Sequence, residues 1–400
     1  MSDPTRMKGP SAAPGLYLHV PFCLRKCAYC DFASQPIAEG GVERYLEALA
    51  REFEMRPAEF RSETVYIGGG TPTALSEAAL GRLLELLRAA VEPERIVEWT
   101  CEANPGTLTE TKARALRGAG VNRLSIGAQS FDDARLARLG RIHTAAEIGE
   151  AVAIARAAGF DNLSLDLMYA LPGESLAEWE RDLERAMALS PEHLSLYALA
   201  IEDGTPFARE RDAGRLAEAS DDAARAQYER ARAALRAAGY IHYEISNFAR
   251  PGRESRHNLL YWSGGEYLGF GPSAHSHWRG ARWGNFQGLE EWAAAASKAW
   301  KTARRDSAPP REFAGAIERE FAERLDPEAK ARETLIFGLR RRAGWRRDDF
   351  RRVTGFDYED LRGPEIERLA RAGLLERTPE GIRLADAALF VSDTVFRELV

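Results

Sequence analysis

The sequence has few cysteines and no long apolar run. Only four of its 400 residues are cysteine, and three of them are crowded together, which excludes a fold stapled by disulfides. No apolar stretch reaches the roughly 18 residues that a membrane-spanning helix needs. Residues 1–14 are polar and proline-rich and lack the apolar core of a signal peptide. We therefore expect a cytoplasmic protein without a membrane span, in which residues 1–14 form a flexible tail.

Positive and negative side chains are nearly balanced in number. The chain has 55 lysine and arginine residues against 61 aspartate and glutamate residues, a net charge of −6. Such a balance gives no overall attraction to nucleic acid or to anionic membranes. The hydrophobic content of 45% and the length of 400 residues fit one large domain and a smaller one.

Three cysteines, Cys23, Cys27 and Cys30, follow a CxxxCxxC spacing. Thiolates are soft ligands that favour iron–sulfur clusters or zinc. A structural zinc site normally has four ligands, whereas the remaining cysteine, Cys101, lies far along the chain in an apolar stretch. The spacing favours an iron–sulfur cluster on three cysteines with one coordination position open, and zinc is the alternative.

Short apolar, β-rich runs alternate with longer helical patterns over the first half of the chain. Leucines at 80, 83, 84 and 87 indicate an amphipathic helix, and Thr144 with Glu147 and Ser175 with Glu178 are typical capping boxes. This alternation predicts parallel βαβ units, in a partial or complete β/α barrel or, alternatively, a doubly wound sheet. The predicted strands are Leu16–Val20, Thr64–Gly68, Val97–Glu102, Arg123–Gly127, Leu163–Leu167 and Leu194–Leu199.

The second half is predicted to begin with a helix at Asp221–Ala238. An irregular stretch rich in glycine, aromatic residues and histidine follows, from about Tyr240 to Asn285. After a predicted linker near Ser307–Arg311, the remaining residues indicate a small, mainly helical domain of winged-helix-like type.

Polar residues stand where several predicted strands end. The run Gly68–Thr73 (GGGTPT) would by itself indicate an ordinary turn, although consecutive glycines also let a backbone approach a ligand closely. Glu102, Gln129 and Asp166 follow on three further strands, and Arg141 has a planar fork that suits a carboxylate. A lone charge is usually solvated or paired. Because functional groups gather at the C-terminal ends of barrel strands, the set favours a binding site.

The cysteine motif, with Tyr29 before the third cysteine, resembles that of the radical S-adenosylmethionine (SAM) superfamily. There a [4Fe–4S] cluster binds SAM through its free iron, and reductive cleavage of SAM supplies a 5′-deoxyadenosyl radical. The GGGTPT, GxQSF and DLMYALPG motifs narrow the resemblance, over nearly the whole chain, to the oxygen-independent coproporphyrinogen III oxidase group. It implies a radical SAM partial β/α barrel with a cleft extension at 15–300 and a HemN-like C-terminal domain at 310–400.

The resemblance also implies the site residues. Cys23, Cys27 and Cys30 would bind the [4Fe–4S] cluster. The residues implied to contact SAM are Tyr17, Tyr29, Gly69, Gly70, Thr71, Glu102, Gln129, Arg141, Asp166 and Ala200.

Two departures separate the chain from the true oxidases of this group. Those enzymes have a fourth cysteine two residues after the third, where this chain has Phe32, and a longer N-terminal segment. Both departures match the HemW-type heme chaperones instead. So does the segment His257–Trp262, an HNxxYW motif that is associated with heme binding in that subfamily.

The motif makes His257 the candidate ligand of heme iron. Histidine binds heme iron, and rings such as Tyr261 and Trp262 can pack on a porphyrin. The rivals are His275 and His277. The residues by themselves equally fit a capped turn with aromatic side chains filling the barrel mouth.

The function expected is a heme chaperone that binds a [4Fe–4S] cluster, SAM and heme and transfers heme to an unknown acceptor protein. The alternative is a radical SAM enzyme of porphyrin biosynthesis that acts on a tetrapyrrole, so enzyme activity stays open. A cluster-dependent homodimer is a further expectation, since a loop ordered by metal can complete an interface.

An RNA-linked radical SAM role is the third function considered. Asp348 and Asp349 interrupt the basic segment that would carry it, and charge runs are usually solvated, so nucleic acid binding is disfavoured. The basic segment consists of Arg340, Arg341, Arg342, Arg346, Arg347, Arg351 and Arg352.

Overall fold

The structure is a computed structural model that describes residues 13–305 and 317–400. Most of the predicted tail, and the predicted linker Ser307–Arg311, lie outside these residues. The described strands are β1 (Gly15–Val20), β2 (Phe22–Cys23), β3 (Gln35–Pro36), β4 (Thr64–Gly69), β5 (Glu98–Ala103), β6 (Arg123–Gln129), β7 (Leu163–Tyr169), β8 (His193–Ala198), β9 (Ile241–Glu244), β10 (Asn247–Ala249), β11 (Tyr267–Phe270), β12 (His275–Trp278), β13 (Ala281–Gly284), β14 (Phe321–Arg324), β15 (Trp345–Arg346), β16 (Leu375–Arg377) and β17 (Gly381–Leu384).

Helices cover the outer side of the barrel and build most of the C-terminal part. The described α-helices are α1 (Gly41–Glu54), α2 (Glu77–Ala90), α3 (Glu110–Ala119), α4 (Asp133–Leu139), α5 (Ala145–Ala157), α6 (Leu176–Ala188), α7 (Pro206–Asp212), α8 (Asp221–Ala237), α9 (Arg256–Trp262), α10 (Leu289–Arg305), α11 (Pro327–Leu339), α12 (Arg347–Thr354), α13 (Tyr358–Arg371) and α14 (Ser392–Leu399).

A large mixed sheet forms the centre of the molecule. Its parallel part has the order β11-β1-β4-β5-β6-β7-β8. From β1 to β8 the order follows the chain without the reversal that defines a doubly wound sheet. The α/β fold with a partial β/α barrel is therefore confirmed, and each of the six predicted strands is present within one or two residues.

Antiparallel strands extend the sheet at both edges. On one side β12, β13 and β14 follow β11, and on the other β10 and β9 follow β8. The expectation of an irregular stretch from Tyr240 to Asn285 is wrong, because this stretch contains β9 to β13 and α9. The extending strands have only three or four residues each, too few for a clear alternation in the sequence.

The helix signals read from the sequence are present in the structure. The four leucines of α2 are all buried in the core. Thr144 and Ser175 form reciprocal capping boxes with Glu147 and Glu178 at the starts of α5 and α6. Each box satisfies backbone N–H groups that the first helical turn leaves without partners.

The C-terminal part is mainly helical, as expected. Its helices α11 to α14 surround a three-stranded antiparallel sheet of order β15-β17-β16. Backbone hydrogen bonds connect it to β9, from Arg342 N–H to the Tyr243 carbonyl (3.0 Å) and from Ile245 N–H to the Arg340 carbonyl (3.1 Å). The strand β14, which lies inside the range expected for this domain, instead extends the large sheet.

Five of the seven arginines of the basic C-terminal segment form ion pairs with acidic side chains. Arg347 lies 2.7 Å from Asp357, which also pairs with Arg351. Arg352 lies 2.7 Å from Asp349. These ion pairs give the segment a structural role, whatever else it contacts.

Within the described ranges no helix combines the length and the apolar character that crossing a membrane requires.

Candidate cluster and cofactor site

A cavity of about 350 Å³ opens at the C-terminal ends of the barrel strands and reaches into the barrel. It collects all but two of the site residues predicted from the sequence. Tyr17 and His257 are not among its lining residues. The predicted residues that line it are Cys23, Cys27, Cys30, Tyr29, Gly69, Gly70, Thr71, Glu102, Gln129, Arg141, Asp166 and Ala200.

Cys23 is the last residue of β2, and Cys27 and Cys30 lie on the loop that follows it; we call this segment the cysteine loop. Each thiol is half-buried and free. Backbone hydrogen bonds fix the loop from two sides, from Ala28 N–H to the Leu139 carbonyl (2.9 Å) and from Phe207 N–H to the Ala28 carbonyl (3.0 Å). The loop therefore faces the cavity with its path set by α4 and α7.

Cationic and hydroxyl groups contact the thiols. Nη1 of Arg141 lies 3.5 Å from Sγ of Cys27, and Oγ1 of Thr71 lies 3.6 Å from Sγ of Cys23. Burial raises the pKa of the Cys30 thiol, and the nearby Lys26 ammonium opposes that rise. Donors aimed at sulfur favour the thiolate, which is the form that binds metal.

The glycine run lets the cysteine loop and β5 approach β4 closely. A Cβ on Gly70 would lie 2.6 Å from the Phe22 carbonyl oxygen, and a Cβ on Gly68 would lie 2.8 Å from the Glu102 carboxylate. Gly69 has φ of +103°, and a Cβ there would lie 2.5 Å from the His19 ring. Only glycine fits these positions without displacing a neighbour.

Glu102 is held inside the barrel by two donors. The hydroxyl of Tyr66 donates to Oε1 over 2.8 Å, and the backbone N–H of Gly69 donates to Oε2 over 3.2 Å. Burial raises the pKa of Glu102 to about 7, and the nearby Asp166 carboxylate adds to the rise. Tyr17 stacks on Tyr66, with ring centroids 6.2 Å apart, so it packs against the tyrosine that donates to Glu102.

Gln129 ends β6 in the left-handed region, with φ of +66°, a conformation that costs free energy in a residue other than glycine. A register shift between Gly127 and Gln129 accompanies it. Nη2 of Arg141 donates to the Gly127 carbonyl over 2.6 Å, while its Nε is buried without a partner. The strand end thus aims an amide and a guanidinium at the cavity beside the cysteine loop.

Asp166 lies in the middle of β7 rather than at its end. Its carboxylate accepts hydrogen bonds from Ser125 (3.0 and 3.1 Å) and from Ser164 (3.2 Å). Burial raises its pKa despite these donors. The carboxylate therefore faces the barrel interior with its geometry fixed by serine hydroxyls.

Sequence reasoning missed a polar layer inside the barrel. Arg123, Ser125, His193, Ser195 and Tyr197 also line the cavity. Every second residue of β6 and β8 contributes to this layer, because alternate side chains of a strand point to the same face. The sequence carries a signal for these residues. Strands of a barrel that is covered by helices are expected to be apolar on both faces, whereas polar residues recur at alternate positions in β6 and β8.

Other residues near the cysteines have structural partners. Cys101 is fully buried and donates to the backbone of Glu102 over 3.4 Å. His143 contacts Asn104 (3.1 Å) and the Ala128 carbonyl (3.2 Å). Over residues 13–305 and 317–400, no three histidine, cysteine, aspartate or glutamate side chains are arranged to hold a metal ion.

His257 lies at the N-terminal ends of β1 and β4, at the opposite end of the barrel from the cysteines. Its Nδ1 is 2.9 Å from Oγ1 of Thr64, and its Nε2 is 2.9 Å from the hydroxyl of Tyr261. Its ring stacks on Tyr66 with centroids 5.3 Å apart. The imidazole is 1% exposed, and burial lowers its pKa to about 3. Both ring nitrogens are thus engaged inside the protein.

Comparison with known proteins agrees with this architecture. Residues 17–186 match the family model of the radical SAM superfamily, and residues 325–391 match that of the HemN C-terminal domain. The chain superposes on coproporphyrinogen III oxidase (HemN) from Escherichia coli with a TM-score of 0.79 and 22% identity, covering 99% of this chain and 91% of that one. At that identity the likeness shows the fold alone.

Two relatives are similar over almost their whole length. The heme chaperone HemW of Lactococcus lactis subsp. lactis (strain IL1403) is 34% identical over 384 residues, which is 96% of each chain. The heme chaperone HemW of Bacillus subtilis (strain 168) is 34% identical over 95% of this chain and 97% of that protein. The chain therefore belongs to the radical SAM superfamily and, within it, to the family of HemW heme chaperones.

Proposed function

We propose that this chain holds a [4Fe–4S] cluster on Cys23, Cys27 and Cys30, binds SAM beside it, and binds heme and passes it to an acceptor protein. The single observation that carries the cluster and SAM part is the shared cavity. The cysteine loop and the polar ends of the barrel strands, brought together from five different strands or loops, line one space. The heme part rests on the family to which the chain belongs.

The donor set fits the cluster. Three free thiols on one loop supply the soft ligands that an iron–sulfur cluster requires. The Arg141 guanidinium next to Cys27 offsets the negative charge that three thiolates bring. When bound, such a cluster supplies the electron for reductive cleavage of SAM, and the surrounding residues bind, orient and shield the reactants.

The polar side chains fit SAM, which carries an ammonium, a carboxylate and a sulfonium. Glu102 offers a buried carboxylate to a cation, and Arg141 offers a guanidinium to the SAM carboxylate. Asp166, fixed by two serines, suits ribose hydroxyls. The backbone of Gly69 and Gly70 allows close approach of the ligand, and Tyr17 stacks behind Tyr66.

For heme, the HNxxYW segment forms α9 between the barrel floor and the C-terminal domain. Coordination of iron by His257 would require its ring to leave both Thr64 and Tyr261. We therefore propose that the motif contributes to heme binding as a unit, with Tyr261 and Trp262 at the end of the helix lining a second cavity.

Radical SAM catalysis on a tetrapyrrole is the second candidate. The observation that favours it is the polar cavity, which is lined by Glu102, Arg141 and Asp166, the side chains proposed above to bind SAM. Phe32, at the cavity rim, is 60% exposed and stands where the oxidases of the group have a fourth cysteine.

One divided sample tests the two candidates. The full chain is reconstituted with iron and sulfide under anaerobic conditions. One half is titrated with ferric heme and followed by the Soret band, and the other receives SAM, reductant and coproporphyrinogen. Saturable heme binding without decarboxylated product supports the chaperone. Decarboxylated product with equimolar 5′-deoxyadenosine, and no saturable heme binding, would establish the enzyme instead.

A further inference from the structure

A second cavity, of about 490 Å³, lies outside the barrel. We call it the aromatic cavity, because Tyr261, Trp262, Tyr267, Phe321 and Phe337 all line it. Its walls come from three places, namely the end of α9, the antiparallel edge of the large sheet, and the first helix of the C-terminal domain. Its volume lies within the roughly 300–1,000 Å³ of small-molecule and cofactor sites.

The aromatic walls remain partly open to solvent. Phe321 is 38% exposed and Phe337 is 36% exposed. Tyr261 meets Tyr267 edge to face with ring centroids 4.5 Å apart, and Trp262 lies 6.4 Å from Phe337. Exposed large apolar rings gathered around a concave space mark a binding site rather than an ordinary surface.

The sheet side of the aromatic cavity presents two histidines on one face. In the register of the sheet, Tyr267 pairs with His277, and His277 pairs with Arg282. His275, two residues before His277 on β12, shares this face because side chains alternate along a strand. Across from His275 stands Gly284, where a Cβ would lie 2.6 Å from the Phe321 ring. Because Gly284 has no side chain, the Phe321 ring can lie over this position of β13.

The backbone contact of His277 fixes which of its nitrogens carries the lone pair. Nδ1 lies 3.1 Å from the carbonyl oxygen of Gly265, and a carbonyl only accepts, so Nδ1 carries the proton and Nε2 of the neutral ring carries the lone pair. Nζ of Lys330 lies 2.5 Å from Nε2 and 3.3 Å from Nδ1, so this one flexible side chain has to move before a metal can reach Nε2. This tautomer, with Nδ1–H donating to a backbone carbonyl, is the usual arrangement of a metal-binding histidine.

Cations border the same space. Lys330 lines the cavity and contacts His277, whereas Arg340 lies outside it, with its guanidinium over the Trp262 ring, 4.4 Å from the centroid. Arg282 is held by Glu323 (2.6 Å) and by Glu333, and both carboxylates also line the cavity, so Lys330 is the cation that faces a ligand carboxylate. A planar aromatic ligand with carboxylate substituents and a metal that accepts an imidazole matches the rings, the Nε2 lone pair and the Lys330 ammonium.

We infer that the aromatic cavity is the heme site and that Nε2 of His277 is the ligand of the heme iron. The inference rests on the proposed heme-binding function and locates it. On binding, Nε2 would replace a water ligand on the heme iron, and the Lys330 ammonium, still protonated, would leave the imidazole and donate to a heme propionate. His257 lies behind this site and acts as a positioning residue, because its hydrogen bond fixes Tyr261, which lines the cavity.

The test is a ferric heme titration of the anaerobically reconstituted full chain, comparing the wild type with two variants. His277→Ala removes the proposed ligand. Phe337→Asp places a negative charge in the aromatic wall, at a residue of α11 rather than of the sheet. Val353→Asp is the matched control, since Val353 is exposed to 37% on α12 and does not line the cavity. Far-ultraviolet circular dichroism and thermal unfolding check that each variant is folded.

We expect both cavity variants to weaken heme binding at least tenfold, and Val353→Asp to match the wild type. Added imidazole should restore the histidine-ligated Soret spectrum in His277→Ala, because it fills the space that the side chain left. Unchanged affinity and spectrum in both cavity variants, with a wild type that binds heme, would overturn the inference and leave the proposed function standing. Loss of the spectrum in His275→Ala or His257→Gln, but not in His277→Ala, would overturn the choice of ligand. A wild type that binds no heme would refute the proposed function and this inference together.

Discussion

Tyr261 and His257 are joined by a hydrogen bond of 2.9 Å between the tyrosine hydroxyl and Nε2 of the imidazole. They are four residues apart on α9, a spacing that places both on one side of the helix. His257 packs on Tyr66 in the barrel, whereas Tyr261 packs on Tyr267 of β11, the strand from which the antiparallel extension continues. This hydrogen bond therefore connects the floor of the barrel to the aromatic cavity.

Acid should destabilise the protein partly through His257. Burial lowers the pKa of this group to about 3 in the folded chain, against about 6.5 when unfolded. Between these values the unfolded state binds a proton that the folded state does not, so its contribution to stability falls as the pH falls from 6.5 towards 3. The limiting slope is about 1.4 kcal/mol per pH unit.

Urea unfolding of the wild type and His257→Gln at pH 7, 6 and 5 measures this contribution. The other histidines contribute equally to both proteins and cancel in the difference. The wild type should lose stability more steeply than the variant as the pH falls. Equal slopes would show that His257 is not buried as a neutral ring.

The glycine run should tolerate alanine poorly. Gly69→Ala would place a Cβ 2.5 Å from the His19 ring at φ of +103°, so we expect a loss of about 1–3 kcal/mol in the free energy of unfolding. Gly81→Ala is the control, because Gly81 lies in α2 with no atom within 4 Å of an added Cβ. That change should raise stability by about 0.5–1 kcal/mol, since alanine favours a helix over glycine. Chemical denaturation of both variants checks the pair, and similar values for the two would contradict the tight packing described at Gly69.

Binding of SAM should depend on pH through Glu102. Burial raises the pKa of this carboxyl to about 7, so it is mostly protonated at pH 6 and mostly ionised at pH 8. A cationic ligand favours the ionised form, and we expect affinity for SAM to rise over this interval.

Isothermal titration of the reconstituted protein with SAM at pH 6, 7 and 8 measures the effect. Glu102→Gln should lower the affinity at least tenfold and remove the pH dependence. Glu110→Gln, an exposed carboxylate on α3, is the matched control and should leave both unchanged. A pH dependence that persists in Glu102→Gln would assign it to another group.

The cysteines should separate into two classes on substitution. Replacing Cys23, Cys27 or Cys30 by alanine should abolish incorporation of iron and sulfide, because each would supply a ligand from the same loop. Cys101→Ala should retain the cluster, since its thiol is fully buried, and should lower stability by about 1 kcal/mol through the lost packing. Iron and sulfide analysis after reconstitution distinguishes them, and a full cluster in Cys27→Ala would contradict the assignment.

The sequence was sufficient to predict six of the seven parallel strands described in the large sheet, and several of the polar residues that they bring to the cavity. Strand runs bounded by glycine and by helix caps carry their signal locally, and barrel topology then brings Glu102, Gln129 and Asp166 to one cavity. The position of His257 could not be predicted in this way. Its hydrogen-bond partner Thr64 lies 193 residues away along the chain, and only the packing of α9 under the barrel brings them together.

The aromatic cavity could not be predicted from the sequence, for a related reason. Its histidines lie on a strand of four residues, and its opposite wall belongs to the C-terminal domain. Short antiparallel strands rich in glycine and aromatic residues show little periodicity, and contacts between domains leave no pattern in either segment. From the sequence, His275 and His277 could be predicted only as alternatives to His257 for the ligand of heme iron, because the environment of each imidazole depends on tertiary structure.

The most direct test of the central claim is the heme stoichiometry of the wild-type chain with its cluster in place. The anaerobically reconstituted protein is titrated with ferric heme, freed of excess heme by gel filtration, and analysed for heme, iron and sulfide. We predict saturation at one equivalent of heme per chain, with the cluster retained and with no decarboxylation of coproporphyrinogen by the same preparation. Absence of saturable heme binding, together with decarboxylated product, would contradict this prediction.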